Sequence, residues 1–148
     1  MISKHITLAE ATKSNTAIKL GISNLPTEEH LANMKHIAES IFEPLREHFS
    51  KPIAVSSFYR SEALNKAVKG SMTSQHLTGE AMDIDAQIFG SLTNKEVFDW
   101  IRANCTFDQL IAEAGTVDEP DWVHVSLTKH RANRGQVLRM VAGKYFPI

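Results

Sequence analysis

The chain has 148 residues, 43% hydrophobic and 22% charged, with one cysteine and a formal net charge of -1. That composition fits a single globular domain over residues 1–148 and excludes a disordered chain. The near balance of charge argues against a nucleic-acid binder working by bulk attraction to phosphates. The single cysteine excludes an intrachain disulfide and a zinc site built from two thiolates.

The first fifteen residues lack the apolar core and the small-residue cleavage site of a secretory leader. No stretch approaches the ~20 apolar residues of a membrane span. The expectation is a protein made in the cytosol, without membrane insertion, that reaches an outside substrate only after release. A monomer is the working expectation.

Thr7-Leu8-Ala9-Glu10 has the T-x-x-E form of a capping box and predicts a short helix. Ser14 predicts a second short turn ending at Gly21, followed by a loop to Pro26. Thr27, with Glu28 and Glu29 in the first turn, opens a longer helix. Its stripe of Leu31, Met34, Ala38, Ile41 and Leu45 recurs at intervals of three and four and faces a core. Pro44 should kink or end it.

Ile53 to Phe58 reads as a strand, and Ser61 caps a helix over 62–69 with Gly70 as its stop. Glu80 to Ala86 alternates as a strand after a turn at Gly79. A second capping box, Thr93 to Glu96, opens a helix with Val97, Trp100 and Ile101 on one side. Phe107 to Ala112, Trp122 to Leu127 and Val137 to Val141 read as further strands. Cys105 is expected as a small buried residue near a helix end. Helices first and strands later give an α+β class: an antiparallel sheet with helices packed on one side.

The chemistry concentrates in Ser74-Gln75-His76-Leu77-Thr78-Gly79-Glu80-Ala81-Met82-Asp83. On the strand, Met82 and Ile84 share the core face, while Ala81, Asp83 and Asp85 share the other. Gly79 lets the chain fold back, so His76 and Asp83 can point at one spot. In Asp121-Trp122-Val123-His124-Val125-Ser126, His124 stands on the open face. Three protein ligands plus water is the usual layout of a catalytic zinc site. Each residue also has a plainer reading: His76 as a polar loop residue, Asp83 as a surface carboxylate, His124 as a hydrogen-bonded sheet residue.

The pattern S-x-H-x-x-G-x-A-x-D followed by a W-x-H strand resembles the zinc D-Ala-D-Ala carboxypeptidase family. That family includes D,D-dipeptidases, phage endolysin peptidases and the related hedgehog fold. Ser57-Phe58-Tyr59-Arg60-Ser61 resembles its arginine motif, and Phe107 to Ile111 its following strand; the similarity runs from about Ile53 to Leu127. The resemblance implies zinc on His76, Asp83 and His124. It implies an acidic general base three residues before the last ligand, Asp121, with Glu119 as rival. It implies that Arg60 holds a substrate carboxylate or the developing oxyanion. Asp121 has the opposite strand parity to His124, which a loop position after Pro120 would remove.

The expected function is hydrolysis of short peptidoglycan peptides, of D,D-carboxypeptidase or L-Ala–D-Glu endopeptidase type, as in phage or prophage lysis enzymes. The alternative is a non-catalytic zinc-bearing module of the same fold. Ser74, Gln75 and Asp85 are candidates to support the ligands. His5, His30, His36, His48 and His130 read as exposed.

Overall fold

A computed structural model describes residues 1–148. Two short helices, α1 (Leu8–Thr12) and α2 (Asn15–Leu20), lead into α3 (Glu28–Ile37). The hydroxyls of Thr7, Ser14 and Thr27 accept from the backbone N–H three residues on, as their spacing predicts. At Thr27 the reciprocal bond comes from the His30 ring.

Pro44 does not end the helix. The chain runs through a π-helical turn, Ala38–Phe42, directly into α4 (Glu43–Phe49). The Glu43 N–H bonds back five residues to the Ala38 carbonyl. The proline, which has no N–H, sits where the α pattern restarts, so it disturbs the ladder least there. The stripe survives intact: Met34, Ala38, Ile41 and Leu45 are fully buried.

Strand β1 (Ala54–Ser57) is followed by α5 (Glu62–Ala67), which ends before Gly70. Lys69, not the glycine, takes the left-handed backbone at this end, with φ 58°. Gly70 is held for space, since a Cβ there would stand 2.1 Å from Asn65 Oδ1. Then come β2 (Ala81–Asp85), α6 (Asn94–Asn104), β3 (Gln109–Glu113), β4 (Trp122–Ser126), β5 (Gln136–Val141) and β6 (Lys144–Pro147).

The sheet order is β1-β2-β4-β3-β5-β6. It is mixed and not antiparallel throughout, because β5 runs parallel to β3. The reason lies in the connection. Strand β4 ends where β3 begins, and the linking loop stays at that end: Gly135 N–H reaches Phe107 O and Gln136 N–H reaches Asp108 O. A strand entered from that side must run with β3. The last strand, β6, went unread in the sequence; it turns back through Ala142 and Gly143, both at positive φ, as a two-residue hairpin needs.

One cluster of 25 buried residues joins α3, the π turn, α4 and α6 to one face of the sheet. Met82, Ile84, Leu110, Ala112, Val123 and Val125 form that face, as strand alternation predicts. The helices cover this side, and the opposite face is left to form a cleft. Cys105 caps the end of α6, half-buried, with burial pushing its thiol up to about 11. It therefore stays a protonated, unreactive thiol.

Candidate metal centre

Three cross-strand neighbours define the middle of the open face. Asp83 pairs with His124, His124 with Ile111, and Ile111 with Leu138. Asp83 and His124 therefore stand side by side because the strand register puts them there. His76 arrives from outside the sheet, on a single 3₁₀ turn, Gln75–Thr78. The Ser74 hydroxyl opens that turn by accepting from His76 N–H, and Gly79, at φ 76°, closes it. A Cβ at Gly79 would stand 2.7 Å from both His30 O and Met34 Cγ, so α3 presses the turn toward the sheet.

His76 is 2% exposed. Its Nδ1 donates to the Phe58 carbonyl at 2.6 Å, which leaves Nε2 as the ring atom turned toward Asp83. His76 Nε2 lies 3.3 Å from Asp83 Oδ1, and His124 Nδ1 lies 3.1 Å from the same oxygen. Ligand atoms around a tetrahedral zinc, with bonds of about 2.0–2.1 Å, stand about 3.3–3.4 Å apart. One donor atom from each of the three residues lies within 4.8 Å of the others. The residues fit a metal with three protein ligands and one side open to the cleft. Burial alone would push the Asp83 carboxyl up, but the adjoining His76 and His124 hold it well below the usual carboxylate range.

Arg60 lines the same cleft. Its backbone is fixed on both sides: Arg60 N–H donates to His76 O, and the buried Asn24 side chain bridges Tyr59 O and Ser61 N–H. The guanidinium is half-buried, with Nη2 reaching Ser74 Oγ at 3.3 Å and Nε buried without a partner. Burial lowers its pKa and the charge of Asp83 opposes this. Ser74 thus supports both the histidine and the arginine. Asp85 instead caps the following turn and binds Asn94. His5, His48 and His130 are exposed, while His30 and His36 are half-buried.

Asp121 lies elsewhere. Its N–H bonds Glu113 O at 2.9 Å, one residue out of step with the register that pairs Glu113 with Trp122, so Asp121 lies just outside β4 at a bulge-like irregularity. At such a step strand alternation no longer assigns it a side. It is exposed, and its carboxylate rests where a Cβ on Gly115 would be, 2.9 Å from Oδ1. Glu119 is exposed in the same loop. Neither lines the cleft.

Besides Asp83, the acid that lines it is Glu113, one residue beyond the predicted strand Phe107 to Ala112. It pairs with Trp122, so it stands diagonally beside His124 on the open face. It is 7% exposed, and burial pushes its carboxyl up to about 7, with His124 pulling down and Asp83 pushing up. Tyr145, on β6, completes this end of the cleft; burial, Glu113 and Asp83 all raise its phenol. The sequence signal for Glu113 was present in the alternation of Gln109, Ile111 and Glu113.

A cleft of about 780 Å³ with a His-Asp-His cluster, its donor atoms within 4.8 Å of one another, fits a mononuclear metal site. A family model described as Peptidase M15 matches residues 4–126, and the chain belongs to this family of zinc-dependent peptidases. The match takes in the N-terminal helices, which the motifs alone had left outside the resemblance. They earn their place by holding Arg60 and the His76 turn. No curated protein sequence matches the chain at a significant level.

Proposed function

We propose that the protein hydrolyses short peptides of bacterial peptidoglycan, using a zinc ion held by His76, Asp83 and His124. The observation that carries this reading is the pairing of that cluster with Glu113 and Arg60 in one cleft. Zinc bound there would supply a Lewis acid for the peptide carbonyl and lower the pKa of a water toward ~7. His76 Nδ1 is fixed on Phe58 O and its Nε2 is turned toward Asp83, so the donor atoms of both residues are in place before metal arrives.

Glu113 is the proton-transfer group that the geometry favours over Asp121. It would take the proton of the attacking water and pass it to the leaving amine. Burial raises its carboxyl, and zinc beside His124 would favour its ionised form, the form that accepts the proton of the water. Arg60 would hold a substrate carboxylate or the developing oxyanion, through donors that the protein itself leaves free.

Arg60→Ala should keep metal and fold and lose about 10²–10³ in kcat/KM. Kinetics equal to the unmutated protein would take Arg60 out of the reaction. The alternative, a zinc-bearing module without catalysis, has no use for a buried acid of raised pKa beside the ligands. Incubating the protein with purified muropeptides and weighing the products tests the reading and shows which bond is cut. Intact D,D and L-Ala–D-Glu peptides would leave the module ahead.

A further inference from the structure

Arg131 and Arg134 line the cleft but have no part in the chemistry above. Both come from the loop between β4 and β5, and both grip Asp108. Arg131 binds it through Nη1 and Nη2, each at 2.8 Å. Arg134 binds it through Nε at 3.1 Å and Nη2 at 2.7 Å. The Asp108 side chain is 0% exposed, whereas the two arginine side chains are 49% and 45% exposed.

One carboxylate below the surface thus fixes two guanidinium groups at the edge of the cleft. Arg131 Nε and Arg134 Nη1 donate to no protein group. The other acid acting on Arg131 is Glu80, which is buried and bonded to Thr78. Neither Asp108 nor Glu80 lines the cleft, so the outward-facing donors meet no acidic group there from these two. Lys69, also at the cleft, adds a further positive charge.

Their position relative to the metal centre follows from the strand register. Asp83, His124 and Ile111 form one row, and Glu113 stands in the next row toward one end of the sheet. Gln109 stands in the next row toward the other end, with Asp108 and its arginines just beyond it. Rows on one face are two residues apart, about 7 Å. The arginine pair is therefore on the far side of the metal centre from Glu113, on the order of 7–10 Å away. At ~3.5 Å per residue, that is two or three residues along a peptide, or one residue with a long acidic side chain.

We propose that Arg131 and Arg134 form a second anion subsite, which takes a carboxylate on a residue flanking the bond to be cut. The preferred substrate is then a short acidic peptide with two carboxylates, one toward Arg60 and one here. The location of the cut bond rests on the peptidase reading; the anion subsite itself does not. Planar guanidinium groups held rigid by a buried partner lose little freedom on binding a carboxylate, and charge-assisted bonds are the strong ones.

The test uses acetylated alanine pentapeptides with a free C-terminus, each carrying one glutamate at a different position, against glutamine counterparts. Binding to the full chain is followed by calorimetry, with and without zinc. At one position glutamate should bind at least about tenfold tighter than glutamine. Arg131→Gln and Arg134→Gln should each remove most of that preference. Each single variant leaves Asp108 one guanidinium partner, and a melting curve checks that it folds. Equal affinity for every pair, no binding of any peptide, or a preference unchanged in both variants would overturn the subsite. Binding with the preference supports the subsite whether or not these peptides are cut, because they hold none of the D,D or L-Ala–D-Glu bonds on which the peptidase reading is tested with muropeptides.

Discussion

Glu113→Gln is expected to lose about 10²–10⁴ of turnover while its zinc content stays unchanged. The amide keeps the shape of the carboxyl but cannot carry the proton from water to the leaving amine. The exposed Asp121, which does not line the cleft, should tolerate Asp121→Asn within a few-fold. The reverse result, with Asp121→Asn dead and Glu113→Gln active, would return the role to Asp121 and require the loop before β4 to rearrange around substrate.

The same substitution should change stability in a direction fixed by sign. Folding raises the Glu113 carboxyl from 4.5 to about 7, so the native state favours the protonated form. Its contribution is complete below pH 4.5 and is lost as the pH rises to about 7. Glutamine is neutral throughout. Metal-free Glu113→Gln protein should therefore melt higher than the parent at pH 8, with no such gain at pH 4. A zinc ion beside His124 would favour the ionised carboxylate, so the gain should shrink when metal is added. Equal melting at both pH values would place Glu113 in water.

The second large effect concerns the metal. A His76→Ala, His124→Ala double variant should bind no zinc, where the parent holds one per chain. Asp83 alone cannot supply a catalytic site, since zinc of this type takes three protein ligands. The metal-free parent already ties Asp83 to both rings, at 3.3 and 3.1 Å. Removing both partners leaves a half-buried carboxylate without its hydrogen bonds, so the variant should also melt lower, by about 1–3 kcal/mol of stability. Zinc content unchanged in the double variant would put the metal elsewhere.

The His76, Asp83 and His124 cluster was legible in the sequence because its geometry is local or periodic. Ser74 and Gly79 bracket one turn, and alternation along β2 and β4 puts Asp83 and His124 on the open face whatever the neighbouring strands do. The helix caps were legible for the same reason, from Thr7 to Thr93. What stayed hidden depends on partners far apart in the chain. The parallel pairing of β5 with β3 follows from a loop tied down at Asp108, which no local pattern announces. Glu113 was missed by one residue: a strand read as ending at Ala112 stops where a charged side chain begins. Only the pairing with Trp122 shows that this carboxylate is buried beside the metal centre. Asp121 is a different case. Its spacing from His124 matches the family pattern, while it stands outside the cleft lining and its N–H meets Glu113 O one residue out of register. Asn94 is a further case. It opens α6 in the sequence, yet its buried amide ties together Ala86 N–H, Pro120 O and Asp121 O, and so fixes the loop before β4.

The most direct test of the central claim is a zinc titration of the stripped protein against one muropeptide that the intact protein cleaves. Chelation should abolish hydrolysis, and activity should return in proportion to added zinc and level off at one equivalent per chain. Hydrolysis that survives complete removal of metal, or a protein that holds one zinc on His76, Asp83 and His124 and cuts no peptide, would contradict it.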